Sequence, residues 1–151
     1  MDETLAKRAF EQALATHKPE FGNFFIARLL DLDISYPRET CTIHFPVRDF
    51  LFNPQGSLHG GVIAIVMDIS MGHLLHRSFG FGGATLEMKL QYLHALKSDK
   101  ARCQAQFLRR GRSIAFLESR LYDSEERLAA VATSTWKVGS APTSQCAPAL
   151  F

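Results

Sequence analysis

The most distinctive hydrophobic pattern lies between about Leu58 and Ser78, where apolar residues follow one another without the polar face of a surface helix. They cover almost the whole circumference of a helix: Val62, Ile63, Ile65, Val66, Met67, Ile69, Met71, Leu74 and Leu75. A helix that is apolar all round is normally buried. At about 1.5 Å per residue it would be roughly 30 Å long, the span of a small domain. The pattern predicts one long buried helix, which Gly80, Gly82 and Gly83 end.

Polar and apolar residues alternate with a period of two in the segments after this helix, which is the pattern of half-buried strands. Four strands are predicted, in residues 86–92, 102–107, 113–122 and 128–138. Short connections between them favour an antiparallel meander. Before the helix, residues 41–45 alternate in the same way, and the apolar-rich segment 24–34 is compatible with a further strand.

The two ends of the chain complete the outline. Leu5, Phe10, Ala13 and Leu14 recur at helical spacing, and Pro19 ends that short helix. Residues 139–151 are rich in Ser, Ala and Pro and are expected to form a loose tail, which leaves residues 1–138 as a single domain. The fold class is α+β, one sheet with one helix buried against it. A helix that is apolar on every side needs a sheet that curls around it, a second subunit, or both.

Composition narrows the possible partners and location. The chain has 151 residues and a formal charge of +2, too small to favour nucleic acid or a membrane surface as partner. The N-terminus lacks the pattern of a signal peptide, and no apolar run approaches membrane-spanning length, so a cytoplasmic protein is expected. Three cysteines, Cys41, Cys103 and Cys146, lie far apart, and none has metal-ligand spacing. No metal and no cofactor are expected, and Cys41 and Cys103 are interpreted as small core residues on strands.

Asp68 lies in the middle of the apolar helix, between Met67 and Ile69, where a carboxylate is poorly solvated. An ionised carboxylate without a partner is unfavourable there, so it either favours its neutral form or has a hydrogen-bonding partner. A purely structural role is compatible with a lone aspartate of this kind. Gly60 and Gly61 add chemistry, because the first N–H groups of a helix lack intrahelical partners and glycine lets a ligand approach them. Such a helix start can polarise a carbonyl and hold a developing oxyanion.

The spacing of these two features carries a constraint. Asp68 lies eight residues beyond Gly60, so along one helix the two are about 12 Å apart. A reacting atom must lie within roughly 3 Å of both the nucleophile and the oxyanion donors. If Gly60 and Asp68 act on the same group, they come from two antiparallel helices across a two-fold axis, which predicts a dimer.

The sequence resembles a known family in one continuous motif and two later features. The motif is Asn53-Pro54-Gln55-Gly56-Ser57-Leu58-His59-Gly60-Gly61, and it is followed by Asp68 and by residues 85–92, TLEMKLQY. Together they are similar to the phenylacetate-pathway (PaaI-like) branch of the hotdog-fold acyl-CoA thioesterases. The resemblance runs from about Phe45 to Lys137, which is most of the chain.

The resemblance implies a long helix wrapped by a curved antiparallel sheet, in dimers that often pair into tetramers. It implies hydrolysis of an acyl-CoA thioester. The Phe, Met and Leu residues of the chain suit a pocket for an aryl or a medium-chain acyl group equally well. The acidic residue of the family falls on Asp68, as nucleophile or general base, and the carbonyl-polarising N–H falls on Gly60, with Gly61 beside it in the substrate site. Asn53 and His59 match the residues that orient the thioester and the helix start. Thr85 matches a hydroxyl contributed by the other subunit that positions water or the aspartate.

Further positions stay open between chemical and structural interpretations. Arg109, Arg110 and Arg112 flank a strand turn, where they could bind the phosphates of CoA or form a solvated hairpin end. His73 and His76 could line the acyl pocket or serve as polar partners near the helix end. Three smaller observations complete the set: Ser57 is interpreted as the N-cap, His94 carries no assigned role, and Leu93-His94-Ala95 replaces the Arg-Pro that the family often has after the aromatic residue.

Three alternative functions share the same fold. A catalytically silent acyl-CoA binding or sensing module would keep the ligand site, and Asp68 is the residue that argues against it. A hotdog dehydratase needs an acid–base pair aimed at the acyl α and β carbons, and the sequence has no His/Asp pattern of that type. A purely structural oligomer would leave Asp68 as a satisfied polar group, without explaining why Asn53, His59 and Gly60 accompany it.

Overall fold

The computed structural model describes residues 1–139, in which six antiparallel strands pack around one long helix. The helices are α1 (Glu3–Thr16), α2 (Phe25–Leu29) and α3 (Gly60–Phe79), with a single 3-10 turn at Asp49–Leu51. The strands are β1 (Asp33–Ser35), β2 (Cys41–Pro46), β3 (Gly83–Tyr92), β4 (Lys100–Arg109), β5 (Ile114–Asp123) and β6 (Leu128–Val138). The α+β layering predicted from the sequence is confirmed. The predicted tail lies outside the described residues, apart from Gly139.

The long buried helix is confirmed as α3, which begins two residues later than predicted. Its N-cap is His59, whose Nδ1 accepts a hydrogen bond from the Gly61 N–H at 2.9 Å. The interpretation of Ser57 as the N-cap is therefore wrong, because its hydroxyl bonds to Asn53 instead. At the other end Gly80 adopts φ 79°, and its N–H bonds to the His76 carbonyl. This left-handed residue ends the helix, as glycine commonly does.

The sheet has the strand order β1-β2-β4-β5-β6-β3, and α3 packs against its inner face. Strands β4, β5 and β6 form the predicted meander. The prediction is wrong for β3, which pairs with β6 and lies at the sheet edge. The reason is the connection 93–99, whose backbone bonds to three separate segments, through Ala129, Leu58 and Val47. It therefore carries the chain across the end of the sheet instead of turning back as a hairpin.

The segment 24–34, which was compatible with a strand, contains the short helix α2 followed by a turn. Phe25, Ile26, Leu29 and Leu30 recur at i and i+4, so their apolar side chains share one helical face. Only its last two residues, Asp33 and Ile34, are extended, as the first part of β1, which pairs with β2. An apolar run without clear alternation does not distinguish a short helix from a strand.

The buried apolar residues of α3 and of the sheet form one continuous hydrophobic core. Cys41 and Cys103 are fully buried free thiols on β2 and β4, which confirms their interpretation as small core residues. Burial raises the pKa of the Cys41 thiol to about 12, so it stays protonated and unreactive.

One polar cluster crosses this core between the helix and the sheet. The Ser70 hydroxyl on α3 lies 2.9 Å from the Ser119 hydroxyl on β5, and the Cys103 sulfur lies 3.0 Å from the same oxygen. The Ser70 hydroxyl also donates to the Met67 carbonyl at 2.7 Å. Ser119 thus satisfies two buried partners, which fixes the position of α3 over the central strands.

We expect Ser119→Ala to lower the free energy of unfolding by about 1–3 kcal/mol, because it leaves buried polar atoms of Ser70 and Cys103 without their shared partner. Chemical denaturation measures this change. Ser113→Ala is the matched control, because Ser113 is exposed and its hydroxyl has no bond to any residue in 1–139. Equal stability of the two variants would contradict the role assigned to the cluster.

Candidate active site

Asp68 projects from α3 and finds its partner on β3. The Thr85 hydroxyl donates a hydrogen bond to Asp68 Oδ1 at 2.8 Å. The carboxylate is half-buried, so of the two expectations for Asp68 the structure gives a hydrogen-bonding partner. Both residues belong to one chain here, which corrects the expectation that Thr85 reaches Asp68 from the other subunit.

A β-bulge explains how the edge strand reaches the helix. The register between β3 and β6 shifts between Thr85 and Glu87. A bulge bends its strand and redirects the neighbouring side chains, and such bulges are frequent next to active sites. The alternating sequence from Leu86 onward gave no sign of it.

Asp68 and Thr85 lie on the wall of a cavity of about 250 Å³ whose other walls are mainly apolar. The remaining lining residues are Phe21, Phe24, Ile69, Gly72, His73, Gly83 and Trp136. Part of this wall comes from the segment between α1 and α2, which sequence reasoning did not connect with the site. A carboxylate with one fixed hydrogen bond at an apolar cavity can act on a group that enters it.

The start of α3 forms a second, separate cleft of about 550 Å³. The Gly61 N–H bonds to His59, whereas the Gly60 N–H has no hydrogen-bond partner among residues 1–139. It is the free donor that a carbonyl oxygen could use. His59 therefore acts through the helix start, because its ring nitrogen holds the first turn in place.

Tyr92 lies directly over this helix start, which the sequence did not predict. Its hydroxyl donates to the Gly60 carbonyl at 2.8 Å. A Cβ atom at position 60 would lie 3.0 Å from both Cζ and Oη of the Tyr92 ring. A Cβ there is therefore accommodated only if the exposed Tyr92 ring shifts by a few tenths of an ångström.

Asn53 shapes the loop before the helix and does not point a free amide into the cleft. Its Oδ1 accepts from the N–H groups of Gln55 and Ser57, and its Nδ2 donates to the Ser57 hydroxyl at 3.1 Å. These bonds use both ends of the amide. Asn53 fixes the geometry of residues 53–57, and with them the entry of the chain into α3.

His94 lies in the stretch Leu93-His94-Ala95, where the sequence departs from the family resemblance, and it lines the same cleft as Gly60. Its Nε2 lies 3.5 Å from the Asp123 carboxylate, which is 3% exposed. Burial would raise the pKa of Asp123, but hydrogen bonds from Arg127 and from the Glu125 backbone lower it to about 2. The Asp123 carboxylate next to His94 is therefore charged at pH 7. The sequence did not predict this contact.

The arginine cluster divides into two parts. Arg110 donates to the Ser78 carbonyl at the end of α3, and its guanidinium lies 4.8 Å from the centre of the Phe79 ring. It therefore has a structural role, stabilising the helix C-terminus. Arg109 and Arg112 are exposed and have no acidic partner within salt-bridge distance among residues 1–139.

His73 lies deeper along α3 and is 3% exposed. Its Nδ1 is 2.7 Å from the Tyr36 hydroxyl, while its Nε2 is buried and has no partner among the described residues. An unpaired buried group of this kind costs about 1–3 kcal/mol. Burial, assisted by His76, lowers the pKa of His73 from 6.5 to about 4, so the imidazole is neutral at pH 7.

Residues 55–130, half of the chain, match the family model of the thioesterase superfamily. The chain belongs to the thioesterase superfamily. This span contains Gly60, Gly61, Asp68 and Thr85. Membership confirms the predicted enzyme class, a thioester hydrolase.

Relatives of this thioesterase agree with the predicted fold. A Saccharolobus solfataricus protein provisionally named an esterase is 24% identical over 115 residues, 75% of this chain and 82% of that protein. A Bacillus halodurans protein crystallised with CoA has a TM-score of 0.83 at 19% identity, covering 93% of this chain and 95% of the other. The E. coli PaaI protein from the phenylacetic acid degradation operon has a TM-score of 0.74 at 15% identity, covering 90% and 96%. The hotdog fold and the likeness to PaaI-type thioesterases are confirmed.

Residues 1–139 lack the features of two other classes of protein. No group of three or more His, Cys, Asp or Glu side chains there could hold a metal ion. None of the helices in that range combines the length and the apolar character that crossing a membrane requires.

Stability of this thioesterase should fall with acid through His73. Its folded-state pKa lies below the unfolded value of 6.5, so the unfolded chain binds the proton first and stability is lost as pH falls from about 6.5 to about 4. We expect His73→Phe to reduce the loss of unfolding free energy between pH 7 and pH 4.5 by about 2 kcal/mol. Denaturation at each pH measures the slope. Tyr36→Phe is the control, because it leaves the imidazole buried, and it should keep the wild-type slope.

Proposed function

We propose that this thioesterase hydrolyses an acyl-CoA, with an aryl or medium-chain acyl group, to the free acid and CoA. One observation carries the proposal: a hydrogen-bonded carboxylate at an apolar cavity and a free N–H at a helix start occur in the same chain. The first supplies an attacking group or a base, and the second supplies an electrophilic donor. The same pair of functions is what thioester hydrolysis requires.

In this mechanism the thioester carbonyl oxygen accepts a hydrogen bond from the Gly60 N–H, which stabilises the oxyanion as it forms. As general base, Asp68 takes a proton from a water whose oxygen bonds to the carbonyl carbon. The carbon–sulfur bond then breaks, and the proton passes to the leaving thiolate. As nucleophile, Asp68 forms an anhydride with the acyl group, releases the thiolate, and is freed by water.

The neighbouring residues act by positioning. Thr85 holds one carboxylate oxygen of Asp68, so the other oxygen is left for the reaction. His59 fixes the first turn of α3, and Asn53 fixes the loop before it. Gly61 has no side chain at the cleft, and a Cβ there would lie 3.1 Å from His59 Nδ1.

The two functions are separated in one chain, which favours a homodimer. Gly60 and Asp68 lie on different cavities and are about 12 Å apart along α3. In addition β3 is a ten-residue edge strand with no second strand partner among residues 1–139, and Leu86 on it is 56% exposed. A long exposed edge favours pairing with another chain. A two-fold axis at this edge would bring antiparallel copies of α3 together and join Asp68 of one protomer to the Gly60 N–H of its partner. The pairing of two such dimers into a tetramer is proposed from the family resemblance alone.

The CoA end of the substrate is assigned to exposed cations. Arg109 and Arg112 have free guanidinium groups, which suit phosphate oxygens. Arg110 contributes less, because it is already bonded to the helix end. The Bacillus halodurans relative, which was crystallised with CoA, supports this ligand for the fold.

Asp68→Asn should lower kcat for acyl-CoA hydrolysis by about 10²–10⁴-fold while leaving the fold intact, because the amide neither accepts a proton nor attacks. Thiol release from a panel of aryl- and alkyl-CoA thioesters measures it. Thr85→Ala should lose about tenfold through misplacement of Asp68, and Thr85→Ser should retain most activity. Near-normal turnover by Asp68→Asn would reject its role. Binding of CoA esters without hydrolysis by wild type would favour the silent binding module.

Mixing two inactive variants tests the shared site. Gly60→Pro removes the N–H at the first helical position, where proline is well tolerated, and Gly60→Ala is its matched control, with an added Cβ but an intact N–H. If each site spans two subunits, exchange between Gly60→Pro and Asp68→Asn dimers creates heterodimers with one complete site. Thiol release should then rise to about a quarter of the wild-type level by two-fold symmetry. Activity that stays at the level of the separate variants, or sedimentation as a monomer only, contradicts the shared site.

A further inference from the structure

A cavity that the proposed function does not use lies between the turn 36–40 and the C-terminal end of α3. Its volume is about 350 Å³, and residues of β4 form part of its wall. Three arginines line it: Arg38 from the turn, Arg77 from the last turn of α3, and Arg110, which follows β4. None of them has an acidic partner within salt-bridge distance in the described part of the chain. The whole chain carries a formal charge of only +2, so the concentration of cations here is a local feature.

Two of the three guanidinium groups are placed over aromatic rings. The Arg77 Cζ lies 5.8 Å from the centre of the Tyr36 ring. The Arg110 Cζ lies 4.8 Å from the centre of the Phe79 ring and 5.9 Å from that of Phe107. A guanidinium over a ring keeps N–H groups available for an anion. Because the rings already order these side chains, less conformational entropy is lost when a ligand binds them.

Arg38 belongs to a tight turn on the opposite side of the cavity. Thr40 closes this turn, because its N–H and its hydroxyl both donate to the Pro37 carbonyl, at 3.2 and 2.8 Å. Arg38 itself adopts φ 56°, a left-handed conformation that residues other than glycine seldom adopt. The turn therefore fixes the backbone that carries the third guanidinium.

Two negative features of the same wall are weaker than these cations. Glu39 also lines the cavity, but it is exposed and lies beyond salt-bridge distance of all three guanidinium groups. The carbonyl end of α3 carries a partial negative charge, which Arg110 offsets by donating to the Ser78 carbonyl. The wall therefore keeps an excess of positive charge.

We propose that this cavity binds a phosphate group of a small molecule, held by the guanidinium groups of Arg38, Arg77 and Arg110. A phosphate monoester carries a charge of about −1.5 to −2 at pH 7 and has three terminal oxygens. It can therefore accept hydrogen bonds from all three guanidinium groups, whereas a carboxylate has one charge and two oxygens. Arg109 and Arg112, the cations assigned to the CoA end, do not line this cavity.

The phosphate cavity is separate from the cavity beside Asp68, since no residue lines both. The Tyr36 hydroxyl and His73 Nδ1, 2.7 Å apart, join the two linings by a hydrogen bond. Two sources of phosphate share the required chemistry: the nucleotide end of an acyl-CoA, and a phosphate compound that binds independently of the thioester. Phosphate binding does not require hydrolysis, so the inference stands apart from the proposed function.

Calorimetric titration of the full chain with inorganic phosphate and with adenosine 3′,5′-bisphosphate tests the site at low ionic strength, where charges are least screened. Arg77→Gln and Arg38→Gln should each weaken binding of both probes by about tenfold to a hundredfold, the value of a charge-assisted hydrogen bond. Arg77→Lys should restore only part of this loss, because lysine lacks the bidentate fork. Lys7→Gln is the charge-matched control, because Lys7 is exposed on α1 and lines no part of the cavity, and it should change binding by less than about twofold.

Two arms identify the source of the phosphate. If the nucleotide end of CoA occupies the site, CoA displaces inorganic phosphate, and Arg77→Gln raises KM for an acyl-CoA but not for the same acyl-pantetheine, which has no phosphate. If a separate compound occupies it, CoA and phosphate bind together and KM is unchanged. The displacement measurement identifies the source even without hydrolysis, and both results support the site. No binding of either probe to wild type, unchanged affinity in both Arg38→Gln and Arg77→Gln, or equal weakening by Lys7→Gln would overturn the inference.

Discussion

The rigidity of α3 is the constraint on which the rest of the structure depends. An α-helix fixes the distance between any two of its residues, so Gly60 and Asp68 stay about 12 Å apart whatever the side chains do. Neither loop motion nor a different rotamer brings them to one carbonyl. The sheet then covers only part of the helix, and its outermost strand, β3, ends in an unpaired edge within residues 1–139. The proposed chemistry and the unpaired strand edge therefore favour the same partner, a second copy of the chain.

The polar residues of α3 differ in how many of their hydrogen-bonding groups have partners. Ser70 has partners on two strands and belongs to the scaffold. Asp68 has one hydroxyl partner and keeps the remaining carboxylate lone pairs at a cavity. His73 is satisfied at one nitrogen and unpaired at the other. A group that serves a ligand must leave part of its hydrogen-bonding capacity unused, and Asp68 meets this condition whereas Ser70 does not.

The sequence predicted the parts of this fold that periodicity encodes. The all-apolar run gave α3 within two residues, and the alternating segments gave β3 to β6. It failed where pairing depends on the path of a connection, since β3 alternates like a neighbour of β4 yet joins β6. It also missed the bulge that aims Thr85 and the segment carrying Phe21, because neither leaves a local pattern. The glycines and Asp68 were found from chemistry, whereas Tyr92 and Asp123 reach the site through tertiary contacts alone.

Glycine at the helix start illustrates why a motif is weaker evidence than a geometry. Glycine at position 60 would be favoured even in a protein without catalysis, because a Cβ would lie 3.0 Å from the Tyr92 ring. The argument for chemistry is instead the N–H itself, which α3 leaves unpaired while the adjacent Gly61 N–H is bonded to His59. The His59 ring caps the Gly61 N–H and so holds the helix start in place. The Gly60 N–H stays free at an open cleft. An unpaired N–H at the first position is common to helices, because N-caps bond the second or third donor. The argument for chemistry therefore rests on the cleft of about 550 Å³, which gives a substrate access to this N–H.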